Sequence, residues 1–272
     1  MFNNIKTTTD GAVLDGLYNP AQDNAANLNT PQQLPQPPMP EGTLAYSVPS
    51  RGVFYGGITT VEVAPLTIGQ VVDVESVYSG KTVYEQFSKF VSIVNQSVYG
   101  VNVLDLTVQD FYAVCYYLRL ISYKNEPIMI QVEFDINGQM RKLSTPIYAD
   151  SISVKSMQDI VPNNELQLDY IRVRDYLFTM QQEESDKLNK WEKLYFAYVA
   201  GDTPEQKLAN FRALRADKFA FLLKHQVDSY HGVDKLIKVK SPTGEVVEME
   251  VDFDYSMFFP SIIQQAFYGN DI

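Results

Sequence analysis

Apolar and polar positions divide the chain into a start without a core-forming pattern and a long patterned remainder. Residues 1–48 are rich in Pro, Asn and Gln, as in the stretch NPAQDNAANLNTPQQLPQPPMPEG. Such a segment buries too little apolar surface to offset the conformational entropy that ordering removes. We therefore predict that residues 1–48 form an arm that is disordered alone or becomes ordered on a partner.

The pattern changes at once after the arm and predicts a strand and two helices. In ITTVEVAP apolar residues alternate with polar ones, which is the pattern of a strand, and Pro65 ends it. In LTIGQVV, Thr67 and Gln70 have the spacing of a capping box and predict the start of a helix. A second helix follows the break at Ser79 and Gly80. Its apolar face consists of Val83, Phe87, Phe90, Val91 and Val94.

The segment VLDLTVQDFYAVCYYLRLISY predicts a helix that is apolar on all sides. Thr107 is its cap, and Asp110 places a negative charge in the first turn, where the helix dipole favours it. One side is formed by Phe111, Val114, Cys115, Leu118 and Ile121. We expect this helix to be buried at the centre of the domain. Cys115, the only cysteine, is then an inert buried thiol.

Two segments predict β-hairpins. PIMIQVEFDINGQMRKLST alternates on both sides of Asn137–Gly138, the favoured two-residue turn. KLIKVKSPTGEVVEMEVDFD does the same around residues 242–244. IYADSISVK and LQLDYIRVR are further strand candidates.

The period changes from about Val173 and predicts an antiparallel helical hairpin. A first helix ends at Gly201, and a second begins with Asp202 or Thr203 as cap, has Pro204 in its first turn and ends near Gly232. SMFFPSIIQQAFYG predicts a short terminal helix. The sequence thus predicts an α+β fold: central helices with short antiparallel strands in residues 49–172, then the helical hairpin and the terminal β-hairpin in residues 173–272.

The charge of the chain bears on its partners. Its net charge of −11 should repel nucleic acid, which proteins bind by neutralising phosphates. Lys187, Lys190 and Lys193 are interleaved with acidic residues, which indicates a solvated helix face. The start resembles no signal peptide, and no stretch has the roughly 18 apolar residues of a membrane helix. We expect a soluble protein of a reducing cytoplasm or of a particle assembled there. A nucleic-acid adaptor is the alternative among binding proteins.

The inventory of reactive residues does not favour an enzyme. His225 and His231 are the only histidines, and they lie near a helix end without a cysteine or a fixed acidic partner at metal-ligand spacing. No phosphate-binding loop, dinucleotide fingerprint or nucleophile elbow is present. We predict no catalytic, cofactor-binding or metal-binding residue. The alternative is a hydrolase that uses Asp252 and Asp254.

One segment has part of the pattern of a calcium loop. In EFDINGQMRKLS, Asp135, Asn137 and Gly138 take positions three, five and six. Glu133 is at the first position, and Ser144 at the twelfth cannot supply the bidentate carboxylate. The hairpin turn is therefore the better interpretation.

Aromatic residues are the remaining unusual feature. The chain has 18 Tyr and 15 Phe residues. Tyrosine offers a large, stiff and amphipathic contact at protein interfaces, although core packing could absorb many of these side chains. With an arm and no catalytic pattern, the composition favours a role in protein–protein contacts.

Three segments resemble the T4-type baseplate hub and hub-assembly proteins of contractile-tailed phages. They are VPSRGVFYGG with the following VEVAPLTIGQV, then VLDLTVQDFYAVCYYLRLISYKNEPI, then IKVKSPTGEVVEMEVDFDYSMFFP. The shared features are an opening turn before a strand and PLT, a middle helix with a late Tyr-x-Arg, and a late hairpin that ends in paired phenylalanines. The resemblance spans residues 48–272.

The chain departs from the resemblance at one place. Some relatives carry a Cys-x-x-Cys pair in the late hairpin, where this chain has Ser241 and Gly244. The family's zinc site is therefore not expected here, and the turn alone must set the hairpin. The resemblance implies a hub component or hub-assembly factor that contacts other tail proteins. The alternative is a chaperone that binds hub or tape-measure proteins and is absent from the mature virion.

Overall fold

The computed structural model describes residues 39–54, 56–77, 82–123, 126–136, 139–148, 151–159, 166–184, 187–241, 244–251, 253 and 255–259. The helices in this part are α1 (Ile68–Val77), α2 (Val83–Gln96), α3 (Val108–Tyr123), α4 (Val173–Glu184), α5 (Lys190–Tyr195), α6 (Pro204–Arg212), α7 (Phe219–Asp228) and α8 (Tyr255–Phe258). The strands are β1 (Leu44–Ser47), β2 (Thr60–Val63), β3 (Val98–Tyr99), β4 (Ile128–Ile136), β5 (Gln139–Ile147), β6 (Val154–Lys155), β7 (Gly232–Val233), β8 (Leu236–Lys240) and β9 (Val246–Glu250). Helices and small antiparallel sheets are mixed, which confirms the predicted α+β class.

The N-terminal sheet has the order β1-β2-β3 and is antiparallel throughout. The strand predicted from ITTVEVAP is β2, but β1 falls inside the range predicted to be an arm. Tyr46 of β1 stacks on Tyr117 of α3, with ring centroids 4.3 Å apart. The folded part therefore begins before residue 48. Residues 1–38, which make up most of the predicted arm, lie outside the described residues.

The capping residues predicted for the first helix act as expected, and the second helix has a cap that was not predicted. The backbone N–H of Gln70 donates to Thr67 Oγ1 at 3.3 Å, and the Thr67 N–H donates to Gln70 Oε1 at 2.9 Å. Thr82 caps α2 by accepting from the Glu85 N–H. On the predicted apolar face of α2, Val83 is 61% exposed. The other four members are buried, namely Phe87, Phe90, Val91 and Val94.

Helix α3 lies at the centre of the main core, as its apolar girth predicts. It contacts α4, α8, β2 and β7. Its Arg119 is 3% exposed and donates to the carbonyl oxygens of Phe258 at 2.9 Å, Glu126 at 3.0 Å and Pro127 at 2.9 Å. Buried guanidinium groups need such acceptors, because an unpaired charge is costly in an apolar interior. Arg119 thus fastens the C-terminal end of the described chain to the central helix.

Both predicted β-hairpins form, as β4–β5 and β8–β9. Residues 137–138 and 242–243, the predicted turn centres, lie outside the described residues. Ser241 closes the second turn: its N–H donates to Glu245 O at 2.7 Å, and its Oγ accepts from the Glu245 N–H at 3.1 Å. The other two strand candidates form less β-structure than predicted. IYADSISVK supplies only β6, which pairs with β7, and LQLDYIRVR makes isolated bridges instead of a strand.

The predicted helical hairpin is wrong in detail, because each of its two helices is broken. The first is divided into α4 and α5, and α5 restarts at its own cap, Asn189. The second is divided into α6 and α7 by an extended residue, Arg215, and a short 3-10 turn. Phe211, Leu214 and Phe219 pack on one apolar cluster. Because Leu214 and Phe219 are five positions apart, a continuous helix would turn them to different faces.

The structure does not divide at residue 172. Residues 39–272 belong to one compact unit, and α4 contacts both α2 and α3. Val173 and Met180 of α4 are part of the main core. The segment predicted to be separate thus shares its core with the preceding residues.

Candidate functional site

A surface groove of about 490 Å³ is present in the described part of the chain. It lies between α5, the end of α6 and the 3-10 turn that leads into α7. Its lining includes Trp191 and Glu192 from α5, Phe211 and Arg212 from α6, and Phe219 at the start of α7. We call it the aromatic groove. Its volume is in the range of sites that hold small ligands or the side chains of a bound peptide.

Aromatic rings form one wall of the aromatic groove. Trp191 and Tyr195, one helical turn apart, have ring centroids 6.0 Å apart. Phe219 meets Trp191 edge-on at 5.7 Å and Tyr195 at 5.1 Å. Trp191 is 54% exposed, although it is the only tryptophan of the chain. Because a tryptophan left half in water gains less from folding than a buried one, its place favours a contact with another molecule.

Two arginines border the same wall and differ in how they are paired. Arg212 Nε donates to Glu192 Oε1 at 2.7 Å, and Glu192 is buried. The hydrogen bond from Arg212 lowers the pKa of Glu192 below its usual value. Arg215 donates to Asp217 Oδ1 at 3.0 Å, but the two side chains are 81% and 54% exposed. An exposed pair of this kind contributes at most about 1 kcal/mol, so Arg215 can exchange its partner at little cost.

Helix α5 is short, and a capping box places its side chains. Asn189 Oδ1 accepts from the N–H groups of Trp191 at 2.9 Å and Glu192 at 3.0 Å. Glu192 Oε2 in turn accepts from the Asn189 N–H at 2.9 Å. A helix of six residues is marginal alone, so this cap and the bond from Arg212 fix where Trp191 lies.

Of the lysines predicted to form a solvated helix face, Lys187 precedes α5, and Lys190 lies beside the aromatic groove. Lys187 and Lys190 are exposed, and Lys193 pairs with Glu183 at 3.4 Å. Lys190 Nζ lies 5.9 Å from the ring centroid of Trp191, within reach of a cation–π contact. The number of aromatic residues in the sequence did not predict the groove. The spacing of Trp191 and Tyr195 by one helical turn, next to lysines, is the pattern that could have predicted it.

A second group of polar residues is buried. Ser50, Thr107, Asp110 and His231 are each fully buried, and we call them the polar joint. The Ser50 N–H donates to Asp110 Oδ1 at 2.9 Å. His231 Nε2 lies 2.9 Å from Thr107 Oγ1 and 3.7 Å from Asp110 Oδ1. His231 Nδ1 lies 2.7 Å from Ser229 O, and because a carbonyl only accepts, Nδ1 carries the proton.

Burial dominates the protonation of the polar joint. It raises the pKa of Asp110 to about 7, although hydrogen bonds from Ser50 act in the opposite direction. It lowers the pKa of His231 to about 4. No acidic partner for His231 was predicted from the sequence. In the structure its acidic neighbour is Asp110, which lies on helix α3, far away in the chain.

The polar joint has the residue types of a hydrolytic triad but a different use. Thr107 Oγ1 accepts from the Asp110 N–H at 3.1 Å and donates to His231 Nε2. Thr107 Oγ1 and His231 Nε2, the atoms that would serve as nucleophile and base, are therefore used in the cap of α3 and its hydrogen bond to His231. Both residues are buried and closed to solvent. The joint holds together the turn at Ser50, the start of α3 and the segment before β7.

A buried ion cluster lies next to the other histidine. Lys207 Nζ is 2.7 Å from Asp175 Oδ2 and 2.9 Å from Asp169 Oδ2, and its side chain is 3% exposed. His225 Nε2 lies 2.7 Å from the backbone oxygen of Asp169, so this nitrogen donates. Burial lowers the pKa of His225 below its usual value. The cluster fastens α6 to α4 through buried charges, although Asp175 Oδ1 has no hydrogen-bond partner among the described residues.

The remaining candidates from the sequence have structural places or lie outside the described part. Cys115 is fully buried, and burial raises its pKa well above the usual value, as expected for an inert thiol. Asp252 and Asp254 lie outside the described residues. Glu133 and Ser144 lie in β4 and β5 of the first hairpin, as the hairpin interpretation predicts.

Neither a metal-binding cluster in the described residues nor similarity to known proteins indicates a function for this chain. Among the residues that the structure describes, no three His, Cys, Asp or Glu side chains are grouped so as to hold a metal ion, and no helix has the length and apolar character to cross a membrane. No protein-family model, curated protein or solved structure matches the chain.

Proposed function

We propose that this protein is a non-enzymatic component or assembly factor of a phage baseplate hub that acts through protein–protein contacts. The observation that supports a binding role best is the aromatic groove. It combines a half-exposed tryptophan with two arginines, residue types that dominate the energetics of protein interfaces, and the ring of Tyr195 packs on that tryptophan. The reactive residue types of the chain support the same role, because Cys115 and both histidines are buried.

The phage part of the proposal rests on the resemblance of three segments to T4-type hub and hub-assembly proteins. In this chain those segments belong to the frame of the fold. Ser50 of the opening turn binds Asp110, Arg119 of the middle helix binds the carbonyl of Phe258, and the paired residues Phe258 and Phe259 are buried in the core. These contacts give the three segments a role in folding, and they do not identify the partner.

The same surfaces suit a second role, that of a tail assembly chaperone. Such a protein would bind the tape-measure protein or a hub protein and leave before the virion is complete. The feature that favours it is exposed apolar surface on the helices that border the aromatic groove: Leu194 of α5 is 44% exposed and Leu223 of α7 39%. In a permanent component such surface is covered by a neighbour, and in a chaperone it is covered only in passing.

Mass spectrometry of purified particles tests the proposal. Particles of the phage that encodes the chain are compared with complexes captured from infected cells during assembly. For a hub component we expect the chain in the particle, at a constant ratio to the other baseplate proteins. Presence in the intracellular complexes alone would support the chaperone role. A chain that is found in neither sample would overturn both.

A further inference from the structure

We propose that the aromatic groove binds an acidic segment of a partner protein, one that carries carboxylates next to an aromatic or large aliphatic side chain. This inference rests on the proposed function, because it takes the groove as a docking site for protein. It adds the chemistry of the occupant. It is drawn from the distribution of charge along the chain and from the geometry of the rings.

Charge is distributed very unevenly in this chain. Two arginines and one glutamate line the aromatic groove, namely Arg212, Arg215 and Glu192, and Lys190 lies beside its Trp191. The chain as a whole has a net charge of −11. A local excess of positive charge in an acidic protein attracts acidic partners and directs them to this one surface.

Arg215 is the residue best placed to bind a carboxylate of the partner. It lies in the lining of the groove, and its exposed pair with Asp217 is weak. A guanidinium group binds a carboxylate through two parallel hydrogen bonds, which is stronger and more directional than a single bond. Arg212 is half exposed and adds positive charge beside it, while its bond to Glu192 keeps it in place.

The rings select the apolar part of the occupant. Trp191 and Phe219 meet at an angle of 89° and form a corner, while the ring of Tyr195 lies at 21° to that of Trp191. A corner of this kind accepts the side of one ring or one aliphatic group. Binding of a single-stranded nucleic acid depends on neutralising a row of phosphates, and this chain has a net charge of −11. The charge therefore favours a peptide over a single-stranded nucleic acid.

A second copy of this chain is a less suitable occupant. Two copies each carry −11, so their overall charges repel one another. An acidic segment of a different protein supplies the local negative charge, and the repulsion between two whole copies of this chain is absent.

Selection from a random peptide library tests the chemistry of the occupant. The full chain is the target, and its Trp191→Ala variant is the counter-target. We expect the enriched peptides to combine Asp or Glu with an aromatic or large aliphatic residue. A synthetic copy of an enriched peptide should change the fluorescence of Trp191, the only tryptophan, and should bind less tightly as salt is raised.

Matched variants separate the groove from general electrostatics. Arg215→Glu should weaken binding of the selected peptide roughly tenfold, whereas Arg141→Glu, the same charge change on the exposed strand β5, should leave it unchanged. Circular dichroism of both variants should match the original chain, because both side chains are exposed. Trp191→Ala should weaken binding by at least about tenfold, as expected for an interface anchor.

Several results would overturn the inference. These are enriched peptides without carboxylates, no enrichment over Trp191→Ala, or equal binding by Arg215→Glu and the original chain. Self-association that Trp191→Ala abolishes would replace the partner with a second copy. Binding of an oligothymidylate that Arg215→Glu abolishes would replace it with nucleic acid. None of these results decides whether the chain belongs to the particle, so the two proposals can fail separately.

Discussion

At the scale of single residues, the ionisable groups in the interior are the main departure from an ordinary apolar core. Asp110 and His231 are both fully buried, and their nearest atoms lie 3.7 Å apart. Each is more stable in its neutral form there, because burial penalises the charged form. The rings of Tyr170 and Phe54, at centroid distances of 5.1 and 6.4 Å from His231, provide part of the apolar surroundings.

The two groups should act in opposite directions on stability as pH changes. Burial lowers the pKa of His231 to about 4, so stability from this group is lost as pH falls from about 6.5 toward 4. Burial raises the pKa of Asp110 to about 7, so stability from this group is lost as pH rises from about 4 through 7. Between about pH 4 and 6.5 the two effects should largely cancel in the original chain.

Single substitutions should reveal each effect alone. We expect the stability of His231→Asn, relative to that of the original chain, to fall as pH rises between about 4 and 6.5, because Asp110 remains and the opposing effect of His231 is gone. We expect the stability of Asp110→Asn, which keeps an acceptor for the Ser50 N–H, to rise relative to that of the original chain between about pH 4 and 7. Urea unfolding at a series of pH values measures both. Profiles parallel to that of the original chain would contradict the assignment.

At the scale of elements, the sequence predicts most helices and strands and fails where tertiary contacts decide. Caps such as Thr67 and Thr107 mark helix starts through local hydrogen bonds, so they can be recognised in one sequence. The four residues of β1 carry too short a pattern, and their strand exists because β2 pairs with them. The break between α6 and α7 is set by packing of Leu214 and Phe219 on a distant cluster.

The same limit applies to the candidate site. Trp191 and Tyr195 share a helix face, and this much is visible in the sequence. Phe219 and Arg215 join them only because the chain turns between α6 and α7. The contact between Asp110 and His231 joins residues far apart in the chain, so no local spacing could have predicted it.

Strand β7 provides a test of close packing between elements. Gly232 has a φ of +97°, and a Cβ there would lie 2.9 Å from Gln109 O. We expect Gly232→Ala to reduce the free energy of unfolding by roughly 2–4 kcal/mol, because backbone strain and the clash act together. Urea unfolding measures the loss.

Gly100→Ala is the matched control for that substitution. Gly100 has a similar φ of +88°, but a Cβ there meets nothing within 4 Å. We expect a smaller loss of about 1–2 kcal/mol, from backbone strain alone. Equal losses in the two variants would show that the contact between β7 and α3 does not determine which side chains residue 232 tolerates.

At the scale of the whole molecule, the chain joins a compact unit of residues 39–272 to a preceding segment rich in Pro, Asn and Gln. The sequence placed the change at residue 48, and the pairing of β1 moves the start of the folded part to an earlier residue. An interaction protein with such a segment can add contacts by ordering it on a partner. This remains the prediction for residues 1–38.

Limited proteolysis tests that prediction. In the isolated protein we expect a protease of broad specificity to cut first before residue 39 and to spare β1, which is paired in a sheet. In the complex with a hub partner we expect the early cuts to be suppressed. The compact unit serves as the internal control, since its rate of cutting should be the same in both states. Equal early cutting with and without the partner would refute ordering.

The contact between Arg119 and Phe258 has a consequence for synthesis of the protein. The central helix needs the carbonyl of Phe258 for its guanidinium group and the rings of Phe258 and Phe259 for its apolar surface. While the ribosome still holds Phe258 and Phe259, α3 has emerged with part of its surroundings missing. The nascent chain should therefore stay incompletely folded until these two residues emerge, and its core should close in one late step.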